Sequence, residues 1–159
     1  MIEVSDLEAG YGEVAVLREV SMKILPGETV AVIGANGAGK STLVAALCGL
    51  LPVRAGRIVH QGMDVAGFPA HERVRRGMGV VLEGRHLFGS MTARQHLTLG
   101  RLGARIVPAG EQAFGLDEVL AMFPFLRSRL DDPVDLMSGG EQQMVALARA
   151  LLLQPQWLI

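Results

Sequence analysis

Residues 29–50 read TVAVIGANGAGKSTLVAALCGL. Residues 29–33 are a short, almost wholly apolar run, the pattern of a strand buried on both faces. Residues 34–41 fit G-x-x-x-x-G-K-[ST]. Residues 40–50 have the propensity and period of a helix. Strand, glycine loop and helix form the context this motif requires. Phosphate oxygens need several donors at close range. Gly34, Ala35, Asn36, Gly37, Ala38 and Gly39 can supply converging backbone N–H groups, because glycines remove the Cβ clashes. The helix N-terminus adds a partial positive charge. Lys40, one of two lysines in the chain, can reach β- and γ-phosphates as a point charge, and the Ser41 hydroxyl can ligate Mg²⁺. Thr42 either bonds an α-phosphate or serves only the first helical turn. The plainer alternative is a glycine turn that merely joins strand to helix; the full motif in its context disfavours it.

Length and composition set the frame for this loop. A chain of 159 residues and 17.0 kDa has the size of one domain. Half its residues are hydrophobic and 19% are charged, which suits a globular chain and not a disordered one. A formal net charge of −1 offers no global basic field to nucleic acid, and 4% aromatics are too few for a base-stacking platform. One cysteine, Cys48, excludes an internal disulfide and fits a reducing compartment. His60, His71, His86, His96 and Cys48 show no metal-ligand spacing. The opening MIEVSDLEAGYG lacks the basic region of a secretory signal. The longest apolar stretch, residues 43–53, is broken by Gly49 and Pro52 and is too short to span a bilayer. These features predict a soluble intracellular protein, with docking onto a membrane partner left open.

The rest of the pattern predicts an α/β chain. Strands are expected around Ile2, Val4 and Leu7 and at residues 16–25, 57–60 and 79–82. The capping pattern Thr92-Ala-Arg-Gln95 opens a helix through about Leu102. A loop at 107–110, a helix at 116–123 ended by Pro124 and a helix at 139–153 ended by Pro155 follow. Residues 157–159 begin another apolar run. Arginines dominate between Glu72 and Arg105, and acids between Glu111 and Glu141. This reads either as two solvated faces or as a basic docking surface beside an acidic one.

A second motif narrows the class. Residues 137–143, Met-Ser-Gly-Gly-Glu-Gln-Gln, precede the helical run at 144–153. Ser138, Gly139 and Gly140 at a helix N-terminus make either a second anion cradle or an ordinary N-cap with a tight turn. The motif resembles the L-S-G-G-Q signature of ATP-binding cassette (ABC) proteins, with Met137 for the leading leucine and Glu141 for glutamine. The order and spacing of both motifs match that superfamily over the whole chain. The resemblance implies a P-loop NTPase of ABC type, with a mixed sheet core and a helical subdomain at roughly 84–150. It implies ATP and Mg²⁺ as cofactors. It also implies that Ser138, Gly139, Gly140 and Glu141 bind the γ-phosphate of ATP held by a second nucleotide-binding subunit. Tyr11, 29 residues before Lys40, resembles the aromatic that stacks on adenine; the alternative is a strand-end tyrosine without a ligand.

Glu83 occupies the place where the family carries a glutamine that touches Mg²⁺ or the attacking water. A carboxylate there could still ligate Mg²⁺ or accept a proton; the alternative is a surface acid. Glu83-Gly-Arg85 and the neighbouring blocks resemble the second ATPase subunit of branched-chain amino acid importers. Importers of urea and amides look similar. The resemblance implies a peripheral subunit on the cytoplasmic face of the inner membrane, with permease partners and, indirectly, a periplasmic substrate-binding protein. The arginines at 73, 75, 76, 85 and 94 fall where the family meets its permease. A non-transport ABC ATPase and an inactive nucleotide-binding remnant are the alternatives.

The family's Asp-Glu pair, which supports Mg²⁺ and polarises the attacking water, would lie beyond Ile159. So would the two strands that flank the strand feeding the phosphate loop. The chain is therefore expected to be a C-terminally truncated fragment, marginal alone and unable to hydrolyse ATP by itself. Residues 29–33 would then lose their sheet neighbours.

Overall fold

The structure is a computed structural model that describes residues 1–107 and 113–159. Residues 108–110 of the expected loop lie outside the described residues. The chain divides into two compact units, Met1–Arg73 and Val74–Ile159.

The first unit is built on an antiparallel sheet of order β2-β1-β3-β4, comprising β1 (Ile2–Tyr11), β2 (Val14–Ile24), β3 (Val53–His60) and β4 (Met63–Asp64). β1 buries Ile2 and Val4, then Leu7 and Ala9. Strict alternation would carry the buried set from even positions to even positions. Here it slips by one, and the ladder shifts between Val4 and Leu7 on the β2 side and between Ser5 and Glu8 on the β3 side. A bulge at Asp6, with φ +48°, returns both halves to the same face. Gly56 allows it: a Cβ there would stand 2.5 Å from the Ser5 carbonyl oxygen and collide with that of Asp6.

α1 (Lys40–Leu47) buries Thr42, Leu43, Ala46 and Leu47 on one face. Its C-terminal carbonyls are bound by a side chain from α2 (Ala70–Arg75). Arg73, 2% exposed, donates to Ala46 O at 2.7 Å and Leu47 O at 2.6 Å, and also to Ala66 O and Phe68 O. A helix C-terminus leaves carbonyls without partners and carries partial negative charge, so a buried cation is satisfied there. Arg73 was expected among the docking arginines; its inward position overturns that. Burial pushes the neighbouring Cys48 thiol up to about 11.

The strand expected at residues 29–33 is absent. These residues are exposed, Ile33 at 90%, and form no strand. An apolar run becomes a strand only when a ladder takes its backbone groups, and no strand pairs with it among the described residues.

The second unit pairs β5 (Met78–Gly79) in parallel with β6 (Trp157–Leu158). The strand expected at 79–82 is therefore shorter and starts earlier, although Val81 N still donates to Ile159 O at 2.7 Å. Around this pair lie α3 (Ala93–Leu102), α4 (Leu116–Met122), α5 (Leu126–Arg129), a 3₁₀ turn (Val134–Leu136) and α6 (Gly139–Leu151). The Thr92/Gln95 capping box opens α3 as its sequence predicts. Leu97, Val119, Leu126, Val134, Val145 and Leu152 form the centre of this unit's core. α3 and α6 approach closely at Gly100, where a Cβ would stand 2.5 Å from Arg149 O. Among the described residues no helix is long and apolar enough to cross a membrane.

Candidate functional site

The phosphate loop lies in the first unit. Gly37 and Gly39 have φ of +83° and +92°, a conformation that favours glycine. Gly39 is the N-cap of α1 and packs against β2; a Cβ there would stand 3.1 Å from the Leu17 side chain and 3.3 Å from Val16. Lys40 Nζ donates to the carbonyl oxygens of Gly34 and Ala35, each at 2.8 Å. Among the described residues no side chain caps α1, and no acid lies in its first turn. Its N-terminal N–H groups thus take no side-chain acceptor, and an anion suits that place. Asn36 and Ala38 complete the loop, and Ala38 N donates to Ala35 O at 3.2 Å.

Ser41 is exposed, whereas Thr42 is buried and helps to pack the first turn. Among the described residues no group of three His, Cys, Asp or Glu could hold a metal ion. Mg²⁺ commonly keeps waters and phosphate oxygens as ligands, so a single protein hydroxyl such as Ser41 fits an ion that arrives with a nucleotide. Tyr11, at the end of β1, is 55% exposed and pairs with Val14 in the ladder.

The 137–143 motif lies in the second unit. Ser138 is the N-cap of α6. Its Oγ accepts from Glu141 N at 3.3 Å, while Glu141 Oε2 accepts from Ser138 N at 2.7 Å. Glutamate closes this capping box as a glutamine would. The bond from Ser138 N, with a smaller contribution from Arg129, holds the Glu141 carboxyl below its ordinary value. Arg129 donates to Glu141 at 3.1 Å and to Asp132 at 2.6 Å. Gly139 and Gly140 are exposed in the first turn.

Glu83 is exposed in a tight loop of the same unit. After it, Gly84, Arg85 and His86 all have left-handed φ, at +83°, +64° and +47°. Arg85 does not point outward as a docking cation. Its Nη1 donates to Gln142 Oε1 at 2.8 Å. Arg94 is likewise engaged, bidentate with Asp131 at 2.8 and 3.0 Å. The Arg85–Gln142 and Arg129–Glu141 contacts are missed by sequence reasoning, because they join residues far apart in the chain that follow no periodic pattern.

The ABC transporter family profile matches residues 17–159, and the chain belongs to that family. The high-affinity branched-chain amino acid transport ATP-binding protein BraG of Pseudomonas aeruginosa is 37% identical over 159 residues, covering 100% of this chain and 67% of that protein. A probable branched-chain amino acid transport ATP-binding protein, LivF, of Archaeoglobus fulgidus is 33% identical over 152 residues, covering 96% of this chain and 63% of that protein. A phosphonates import ATP-binding protein of Nostoc is 36% identical over 171 residues, covering 100% of this chain and 68% of that protein. The chain thus spans about two thirds of the length of these relatives. A solved ATP-binding subunit of an ABC transporter is 34% identical with a TM-score of 0.77, covering 98% of this chain and 63% of its own. A nucleotide-free ATP-binding cassette reaches a TM-score of 0.82 at 23% identity, covering 99% of this chain and 67% of its own, and supports the fold alone.

Proposed function

We propose that the protein is the ATP-binding and ATP-hydrolysing subunit of an ABC importer, with branched-chain amino acids as the imported class. The observation that carries this is the phosphate loop. Left-handed glycines, an uncapped helix N-terminus and a lysine folded across the loop carbonyls form a nucleotide-phosphate cradle. Residues 34–42 bind ATP, Lys40 takes its phosphate charge, and Ser41 holds Mg²⁺. Mg²⁺ held by Ser41 would supply Lewis-acid polarisation of the terminal phosphate. Tyr11 stacks on adenine. Ser138, Gly139, Gly140 and Glu141 meet the nucleotide of a second cassette, and Glu83 stands near the metal or the attacking water. Residues 84–150 are the helical subdomain, and 137–143 the signature.

ATP binding closes two cassettes and hydrolysis reopens them, driving permease subunits at the cytoplasmic face of the membrane. The similarity to BraG supports the amino acid reading; the similarity to the phosphonates import protein of Nostoc supports a second reading, phosphonate import.

The test is uptake of labelled leucine and labelled phosphonate by cells carrying the natural gene or its Lys40→Ala variant. Leucine uptake should fall in the variant. Unchanged leucine uptake with lost phosphonate uptake would support the second reading, and no change in either would remove the importer assignment for both.

A further inference from the structure

Two residues of α6 grip the loop that follows Glu83. Gln142 Oε1 accepts from Arg85 Nη1 at 2.8 Å, and Arg149 Nη1 donates to His86 O at 3.1 Å. Arg149 Nη2 also approaches Arg85 O, at 3.5 Å. Gln142 and Arg149 are seven residues apart, two turns, and therefore lie on one face of the helix. Gln142 Nε2 donates to Met137 O at 3.1 Å, which links the same side chain to the signature segment. The Arg85 guanidinium fills the space over the first turn: a Cβ on Gly139 would stand 2.9 Å from its Nη2.

The loop so held is strained. Arg85 and His86 are non-glycine residues with left-handed φ, directly after Gly84 in the same region. Such a run persists only where surrounding groups over-determine it. Local bonds alone are few: Arg85 N donates to Leu82 O at 3.1 Å and His86 N to Gly84 O at 2.7 Å. Arg85 is also a cation near the positive end of α6, against the helix field. Gln142 accounts for its remaining there.

We propose that Arg85 is a positioning residue that, through Gln142, fixes the Glu83 loop to the first turn of the signature helix. With Arg149 gripping the loop carbonyls, Glu83 and the Ser138–Gly140 turn then move as one piece. When the signature turn meets nucleotide, the acid at 83 is carried into register with it. The consequence for hydrolysis rests on the proposed ATPase; the tether itself does not.

The test uses the natural gene product and two readouts. Hydrogen exchange reads the tether, and steady-state ATPase kinetics read its consequence. Arg85→Met and Gln142→Met should each raise exchange at the amides of Arg85 and His86 by about tenfold, with the α6 core amides unchanged. Each should lower kcat by about tenfold with KM for ATP unchanged. The double variant should be no worse than either single one. Arg85→Lys combined with Gln142→Glu, which rebuilds the contact as an ion pair, should restore both readouts. Unchanged exchange in the single variants, or independent losses that multiply in the double variant, would overturn the tether. A tether confirmed by exchange in a wild-type protein without ATPase activity would overturn the proposed function and, with it, the catalytic role of Arg85.

Discussion

The Lys40 ammonium lies 2.8 Å from the Gly34 carbonyl oxygen, across the loop that separates them in sequence. The loop's own backbone occupies the charge that a phosphate would take. Gly39 holds the loop in this form, with φ +92° and its open side against Val16 and Leu17. Gly39→Ala should therefore destabilise the fold by about 1–3 kcal/mol, read as a lower urea midpoint. Lys40→Ala should leave that midpoint nearly unchanged, because both carbonyls can turn to water.

Arg73 is a strut under the phosphate helix. Removing its guanidinium strands the Leu47 carbonyl at the C-terminus of α1, while Ala46 O keeps only the bond from Gly49 N at 3.2 Å. Arg73→Met should cost about 2–4 kcal/mol, since buried acceptors without donors are expensive and their costs do not simply add. Arg73→Lys should lose less, keeping the charge but not the fork. Urea denaturation of the two variants measures this. Equal midpoints for Met and wild type would contradict it.

Glu141 gives the signature helix an acid-sensitive start. Its carboxyl is held below the ordinary value by the bond from Ser138 N. A depressed folded value stabilises the fold above the unfolded value of about 4.5. That contribution is lost as the pH falls from there through the lower folded value. Glu141→Gln keeps the capping box but should flatten this acid limb, as seen in unfolding midpoints between pH 6 and pH 3 (about the range of carboxylate titration).

His96 should act in the same direction at higher pH. It is fully buried, with Nε2 placed 3.2 Å from Phe88 O and Nδ1 without a partner among the described residues. Burial pushes its value below 6.5, and Arg149 opposes a second proton. The unfolded chain therefore takes up a proton first. Stability should fall as the pH drops below 6.5, and His96→Leu should remove that slope. Midpoints at pH 7.5 and 5.5 (roughly either side of free histidine) that are equal in the wild type would contradict it.

Much of the fold is legible in local chemistry. Thr92 and Gln95 announce α3, and Gly39-Lys40 announces α1, because caps and glycine loops act within a few residues. Ile2, Val4 and Leu7 mark β1, but the bulge at Asp6 that keeps them on one face is seen only in the paired ladders. What local reading misses is decided by distant partners. Residues 29–33 look like a strand, but among the described residues no strand pairs with them. Arg73 and Arg85 look like surface cations until their acceptors, on other elements, are placed. The glycine motif at 34–41 reads locally as an anion cradle and the one at 137–143 as either a cradle or an N-cap; the contacts that tie Glu83's loop to α6 cannot be read locally.

The measurement that bears most directly on the account is calorimetric titration of ATP, with and without Mg²⁺, into the natural protein and its Lys40→Ala variant. Binding should be saturable, strengthened by Mg²⁺ and at least about tenfold weaker in the variant, the loss of one strong charged contact to phosphate. No binding by the natural protein, or equal binding by both, would contradict the assignment of residues 34–42 as a nucleotide site.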